Sequence, residues 1–121
     1  MLEVEQLKAG GIYAIKSGAN FKVAKILIVD ELSVHLRVYA GVYKELPQNI
    51  DSSKLSLNNL ALDKVHEMTD EEIGNSLGMG HIPVMKQGFV ESQPIFLTQE
   101  TVEEDELDGY YYYLNQGQND F

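Results

Sequence analysis

The chain has no cysteine, which excludes disulfides, thiolate metal sites and thiol catalysis. It has no long apolar run: Ile26-Leu27-Ile28-Val29, bounded by Lys25 and Asp30, is far too short to cross a bilayer. The opening residues Met1-Leu2-Glu3-Val4-Glu5 offer neither a basic n-region nor an apolar h-region. The expectation is therefore a cytoplasmic protein without a membrane span. Basic residues are scarce in one half only. Residues 1–54 carry seven basic side chains against six acidic ones, whereas residues 55–121 carry only Lys64 and Lys86 against thirteen carboxylates. The two balances, +1 and −11, make the net charge of −10. Phosphate recognition needs clustered Lys and Arg, so nucleic acid and anionic membrane surfaces are not expected partners. A basic protein is the partner that such an acidic half would steer.

What is present describes one globular domain. A chain of 121 residues with 44% hydrophobic side chains can close a single core, burying roughly two thirds of its unfolded surface. Paired glycines, Gly10-Gly11, release the chain into Ile12–Ile15, a short strand. Ser17-Gly18-Ala19-Asn20 is a turn by composition. Phe21–Val29 is rich in β-branched residues and its later half reads as buried on both sides. Val34–Tyr39 alternates cleanly, with Val34, Leu36 and Val38 inward and His35, Arg37 and Tyr39 outward. Val42–Leu46 returns as a further strand until Pro47 stops it. The pattern is an antiparallel meander.

The second half is less regular. Leu55 and Leu57 have strand spacing. Thr69 with Glu72 forms a capping box for a helix of about two turns that carries Ile73 and Leu77 inward. Gly78–Val84 reads as a loop or strand entry, and Gly88–Val90 and Pro94–Leu97 as two short strands. Thr101 with Glu104 predicts the cap of a C-terminal helix with Val102, Leu107, Tyr110, Tyr111 and Leu114 on its apolar stripe, ending at Asn115-Gln116-Gly117. Gly109 inside that helix costs about 1 kcal/mol relative to alanine, which points to close packing against the sheet or to a kink.

The glycine entry Leu7–Tyr13 and the meander through Phe21–Val29, Val34–Tyr39 and Val42–Leu46 resemble an SH3-like small barrel of the Tudor or KOW kind over residues 7–46. That resemblance implies a fold and no ligand class. The expected fold class is α+β: a small, strongly curled antiparallel sheet or barrel of five to seven strands, with the C-terminal helix packed on it.

No catalytic, cofactor or metal motif stands out. There is no Gly-x-Ser-x-Gly, and Gly78-x-Gly80 has no βαβ unit around it. His35, His66 and His81 lack ligand-like spacing. The expectation is a non-enzymatic, acidic protein-binding domain without a cofactor, and an immunity or inhibitor protein that blocks a basic toxin is its concrete form. Its contacts would be Glu103, Glu104 and Glu106 with Tyr112 and Tyr113, since tyrosine combines apolar area with a polar tip. Two alternatives stay open. One is a peptide- or small-ligand adaptor using His35, Arg37 and Tyr39. The other is a hydrolase or metal-dependent enzyme centred on His81, whose near-neutral pKa suits proton transfer or a partner contact.

Overall fold

A computed structural model describes residues 2–119 of the chain. The first three strands of the meander form as the sequence predicts. Strand β1 (Gly11–Ser17), β2 (Asn20–Val29) and β3 (Ser33–Val38) pair antiparallel in chain order. Ser17 pairs with Asn20 across a two-residue turn whose first residue, Gly18, has a φ of 64°, a conformation that suits glycine in tight hairpins. Residues 23–27 of β2 are all buried, so this strand is covered on both faces. A bulge between Ile26 and Ile28 adds twist where β2 meets β3.

The sheet does not close into a barrel. Its order is β4-β3-β2-β1-β5, with β4 (Met79–Met85) and β5 (Ile95–Gln99) as open edges. The expected strand Val42–Leu46 is reduced to one bridge between Tyr43 and Phe21. The edge of β3 that it would have taken is filled by β4, from Ser33↔Met85 to Val38↔Met79. The chain instead leaves the sheet at Gly41, where φ is 92° and the amide bonds to the Asn75 carbonyl. Pro83 sits in β4 without loss because an edge strand has one row of amides that need no partner. The fold is α+β, a five-stranded antiparallel sheet with a C-terminal helix and a few short helical pieces.

One face carries the larger core, built from Leu7, Tyr13, Ile26, Val34, Leu36 and Phe89. Phe89 arrives on helix α2 (Lys86–Glu91), not on the strand expected at Gly88–Val90. A helix lets Phe89 descend onto Tyr13, edge to face at 5.5 Å, while Val90 packs against the same cluster, which strand alternation forbids. The opposite face holds Ile12, Val23 and Tyr39, roofed by Tyr43, Ile50, Leu55 and Leu57 from the long connection and by Leu97. Leu55 and Leu57 thus act as lid residues outside any strand.

The capping box at Thr69 is present: its hydroxyl accepts from the Glu72 amide and Glu72 reaches back to the Thr69 amide, starting α1 (Asp70–Asn75). Helix α1 ends before Leu77, which makes an isolated bridge to Asn58 instead. The C-terminal helix starts differently from its sequence reading. The box is Glu103 with Glu106, two residues beyond Thr101, and it opens a 3-10 turn (Glu104–Leu107) that runs into α3 (Asp108–Asn119), past Gly117. Tyr111 and Leu114 of the expected apolar stripe are exposed. No helix among the described residues is long and apolar enough to cross a membrane.

Candidate functional site

Register decides what this sheet can do chemically. Ile12, Lys25 and Arg37 form one row across β1, β2 and β3. Alternation then puts His35 and Tyr39 on the same face as Arg37, and pairing of Leu36 with Ile82 brings His81 of β4 to that face as well. This is the polar side expected to be open. It is covered: His35 is 2% exposed and Tyr39 3%. The cover is the long connection over Tyr39 and the Thr101–Tyr113 segment over the rest. The strand face is therefore not a free surface for a peptide.

Lys25 is the most deeply buried charge, 1% exposed in the central strand. Its ammonium donates to the Thr101 carbonyl at 2.7 Å and to Glu106 Oε1 at 2.9 Å, with Glu100 Oε1 at 4.0 Å. Burial pushes the Glu106 carboxyl up, but the Glu103 residue's hydrogen bond, Lys25 and Arg37 outweigh it and hold the group below the usual glutamate range. Arg37 reaches the Glu106 carbonyl with Nη1 at 3.4 Å, while its Nε is buried without a partner among the described residues. Among the described residues the Tyr39 hydroxyl is buried and outside hydrogen-bond geometry too, with the Ser52 hydroxyl next to it. Burial raises the Tyr39 phenol above its ordinary value; the Ser52 hydroxyl beside it pulls the other way but gives its own proton to Glu100. These groups line a pocket of about 550 Å³, with Ser53, Glu103 and Asp105 among its walls.

Next to it on the same face lies a hydrogen-bonded chain. Asp30 Oδ2 is 2.6 Å from His35 Nε2, and His35 Nδ1 is 2.7 Å from His81 Nε2, with the ring planes 15° apart. Asp30 accepts from His35 Nε2–H, and the direction of the bond between the two imidazoles is set by which ring carries the shared proton. Burial, and then the neighbouring His35, lower the His81 pKa from its ordinary 6.5. Tyr110 and Tyr113 pack their rings against both imidazoles. Such a relay can take up and shift a proton, but His81 does not line the pocket over Lys25.

The histidines meet pairwise only. His66 stays on the surface, 3.9 Å from Glu67, and no three metal-binding side chains cluster among the described residues. The acidic residues also divide. Glu106 is turned inward to Lys25, whereas Glu103, Glu104, Asp105 and Asp108 are exposed without a cation within 4 Å among the described residues. Tyr111 donates to Glu104 at 3.1 Å. Tyr112 is 67% exposed, and Tyr113, Tyr111 and Leu114 are exposed along the same segment.

Sequence reasoning singled out His35, Arg37 and Tyr39 on one strand face, which is buried and not open, and His81 apart from them, and it gave Lys25, Asp30, Ser52 and Glu100 no role. Lys25 left a signal, a charge interrupting an otherwise apolar face of β2. Its partners 76 and 81 residues away left none. No protein-family model, curated protein or solved structure matches this chain.

Proposed function

We propose that this domain is a non-enzymatic binding protein that engages a basic protein partner through its acidic, tyrosine-bearing C-terminal segment, residues 103–114. The immunity or inhibitor protein of a basic toxin is the concrete form of this reading. One observation carries it: four carboxylates with no cation within 4 Å among the described residues, Glu103, Glu104, Asp105 and Asp108, stand on the same segment as exposed Tyr111, Tyr112, Tyr113 and Leu114. Carboxylates accelerate encounter with a basic surface, and exposed tyrosines supply apolar area with few rotors to freeze. Glu106 is not one of the contacts, because its charge is already matched by Lys25.

The test compares the native protein with the Glu104→Lys/Asp105→Lys/Asp108→Lys variant, which leaves Glu106 and the Glu103 cap in place. Both are immobilised against lysate of the source cell, and a retained basic protein is then purified and its association measured over a range of salt. The variant is expected to associate about tenfold or more slowly at low salt and with a flatter salt dependence. Tyr112→Ala should speed dissociation. Association that is unchanged in rate and salt response would overturn the reading.

A further inference from the structure

A buried donor without an acceptor costs about 1–3 kcal/mol, so native structures rarely leave one without a reason. The pocket over Lys25 has two groups of this kind, Arg37 Nε–H and the Tyr39 hydroxyl. Carboxylates are close at hand, yet they are turned elsewhere. Glu106 takes the Lys25 ammonium, and Glu100 takes the amide and hydroxyl of Ser52. Among the described residues, Arg37 Nε–H therefore has no acceptor oxygen, and the Tyr39 hydroxyl has only the Ser52 hydroxyl beside it, outside hydrogen-bond geometry.

The open end has the opposite need. Exposed Glu103 and Asp105 wall it, and no cation stands within 4 Å of either among the described residues. Lys25 and Arg37 against Glu100, Glu103, Asp105 and Glu106 leave the lining with two uncompensated negative charges. That balance repels a free anion such as phosphate. A simple cation would satisfy the rim but leave Arg37 and Tyr39 unpaired. One ligand chemistry meets both ends, and a cavity of about 550 Å³ is within the range of small-molecule sites.

We propose that this pocket binds a small zwitterion of the amino-acid type. Its carboxylate sits against Arg37 Nε–H and the Tyr39 hydroxyl, and its ammonium group lies toward Glu103 and Asp105. The site shares Glu103 and Asp105 with the partner-binding reading but does not rest on it.

Arg37 is the only arginine in the chain, so its Nε–H gives a single assignable signal in a nitrogen–proton correlation spectrum. The full-length labelled protein is titrated with β-alanine, γ-aminobutyrate and L-lysine. Acetate and ethylammonium serve as single-ended controls. At least one zwitterion is expected to shift the Arg37 Nε–H signal in a saturable way at concentrations where neither control does. Glu103→Gln/Asp105→Asn, exposed changes that keep the cap acceptor, should weaken that binding about tenfold or more, and Tyr39→Phe should do the same from the buried end. No saturable shift with any zwitterion would show a pocket filled by water alone and overturn the proposal. Acetate acting as well as the zwitterions, or unchanged binding in the rim variant, would overturn it as well.

Discussion

Replacing Lys25 by methionine should destabilise the domain by about 3 kcal/mol, the lower end of the cost of breaking a buried ion pair. The lower end applies because Glu106 would keep the Glu103 amide and Arg37 as neighbours, and its side chain is 13% exposed. The methionine stem fills most of the space of lysine, so cavity formation adds little. Lys25 cannot swing outward, since β2 is paired on both sides and Lys25 itself sits opposite both Ile12 and Arg37. Against a whole-domain stability of about 5–15 kcal/mol, this loss is large. The chain has no tryptophan, so the assay is urea unfolding followed by far-ultraviolet circular dichroism. At a slope of about 1–3 kcal/mol per molar urea, the midpoint should fall by about 1–3 M. Lys25→Met/Glu106→Gln removes the stranded charge while keeping an acceptor for the Glu103 amide, and it should recover most of the loss. A single variant within about 0.5 kcal/mol of the parent, or a double variant no better than the single, would refute the reasoning.

Two glycines in helices should respond with opposite signs. A Cβ on Gly109 would stand 2.7 Å from the His81 Cβ, a contact in which neither atom is a flexible end, so Gly109→Ala should cost about 1–3 kcal/mol despite its better helix propensity. Gly74 in α1 has nothing within 4 Å of such a Cβ, so Gly74→Ala should stabilise by up to about 1 kcal/mol; equal signs in the same urea assay would refute the contrast. Because the folded state lowers the His81 pKa from 6.5, the unfolded chain binds more protons just below that value. The His81 contribution to stability is therefore present above about pH 6.5 and lost as pH falls through the lowered folded value, and a melting-temperature series in which His81→Gln leaves that slope unchanged would refute the assignment.

The residues that the sequence made legible are those whose signal is local. Phe21–Val29 is readable because β-branched residues crowd a strand, and Thr69 because its cap partner Glu72 is three residues away. Gly109 was readable as either a close approach to the sheet or a kink, and the structure shows the close approach, to His81 of β4. Failures came where a distant segment decides. Alternation in Val34–Tyr39 separates two faces correctly but does not say that the polar one is open. That face is buried by residues 50–57 and 101–113, which local patterning cannot foresee. Val42–Leu46 has strand composition, yet β4 holds the available edge. His35 and His81 meet from 46 residues apart, so neither carries a sign of the other in the chain.

The C-terminal segment ties these features together. Glu106 fastens it to Lys25, and Gly109 with Tyr110 and Tyr113 seats it on the histidine pair; the exposed carboxylates Glu103, Glu104, Asp105 and Asp108 stand before and between these anchors. Each anchor depends on a protonation state, Glu106 ionised and His81 neutral, and the fold lowers the pKa of both groups. Acid therefore acts on both in the same direction. Protonating His81 puts charge beside His35 under two tyrosine rings, and protonating Glu106 removes the carboxylate that pairs with a fully buried ammonium. Since the two groups have different ordinary values, the losses come in sequence as pH falls, the histidine seat first and the Lys25 anchor second. The surface strip inherits that order, because its carboxylates lie on the segment that these two anchors hold.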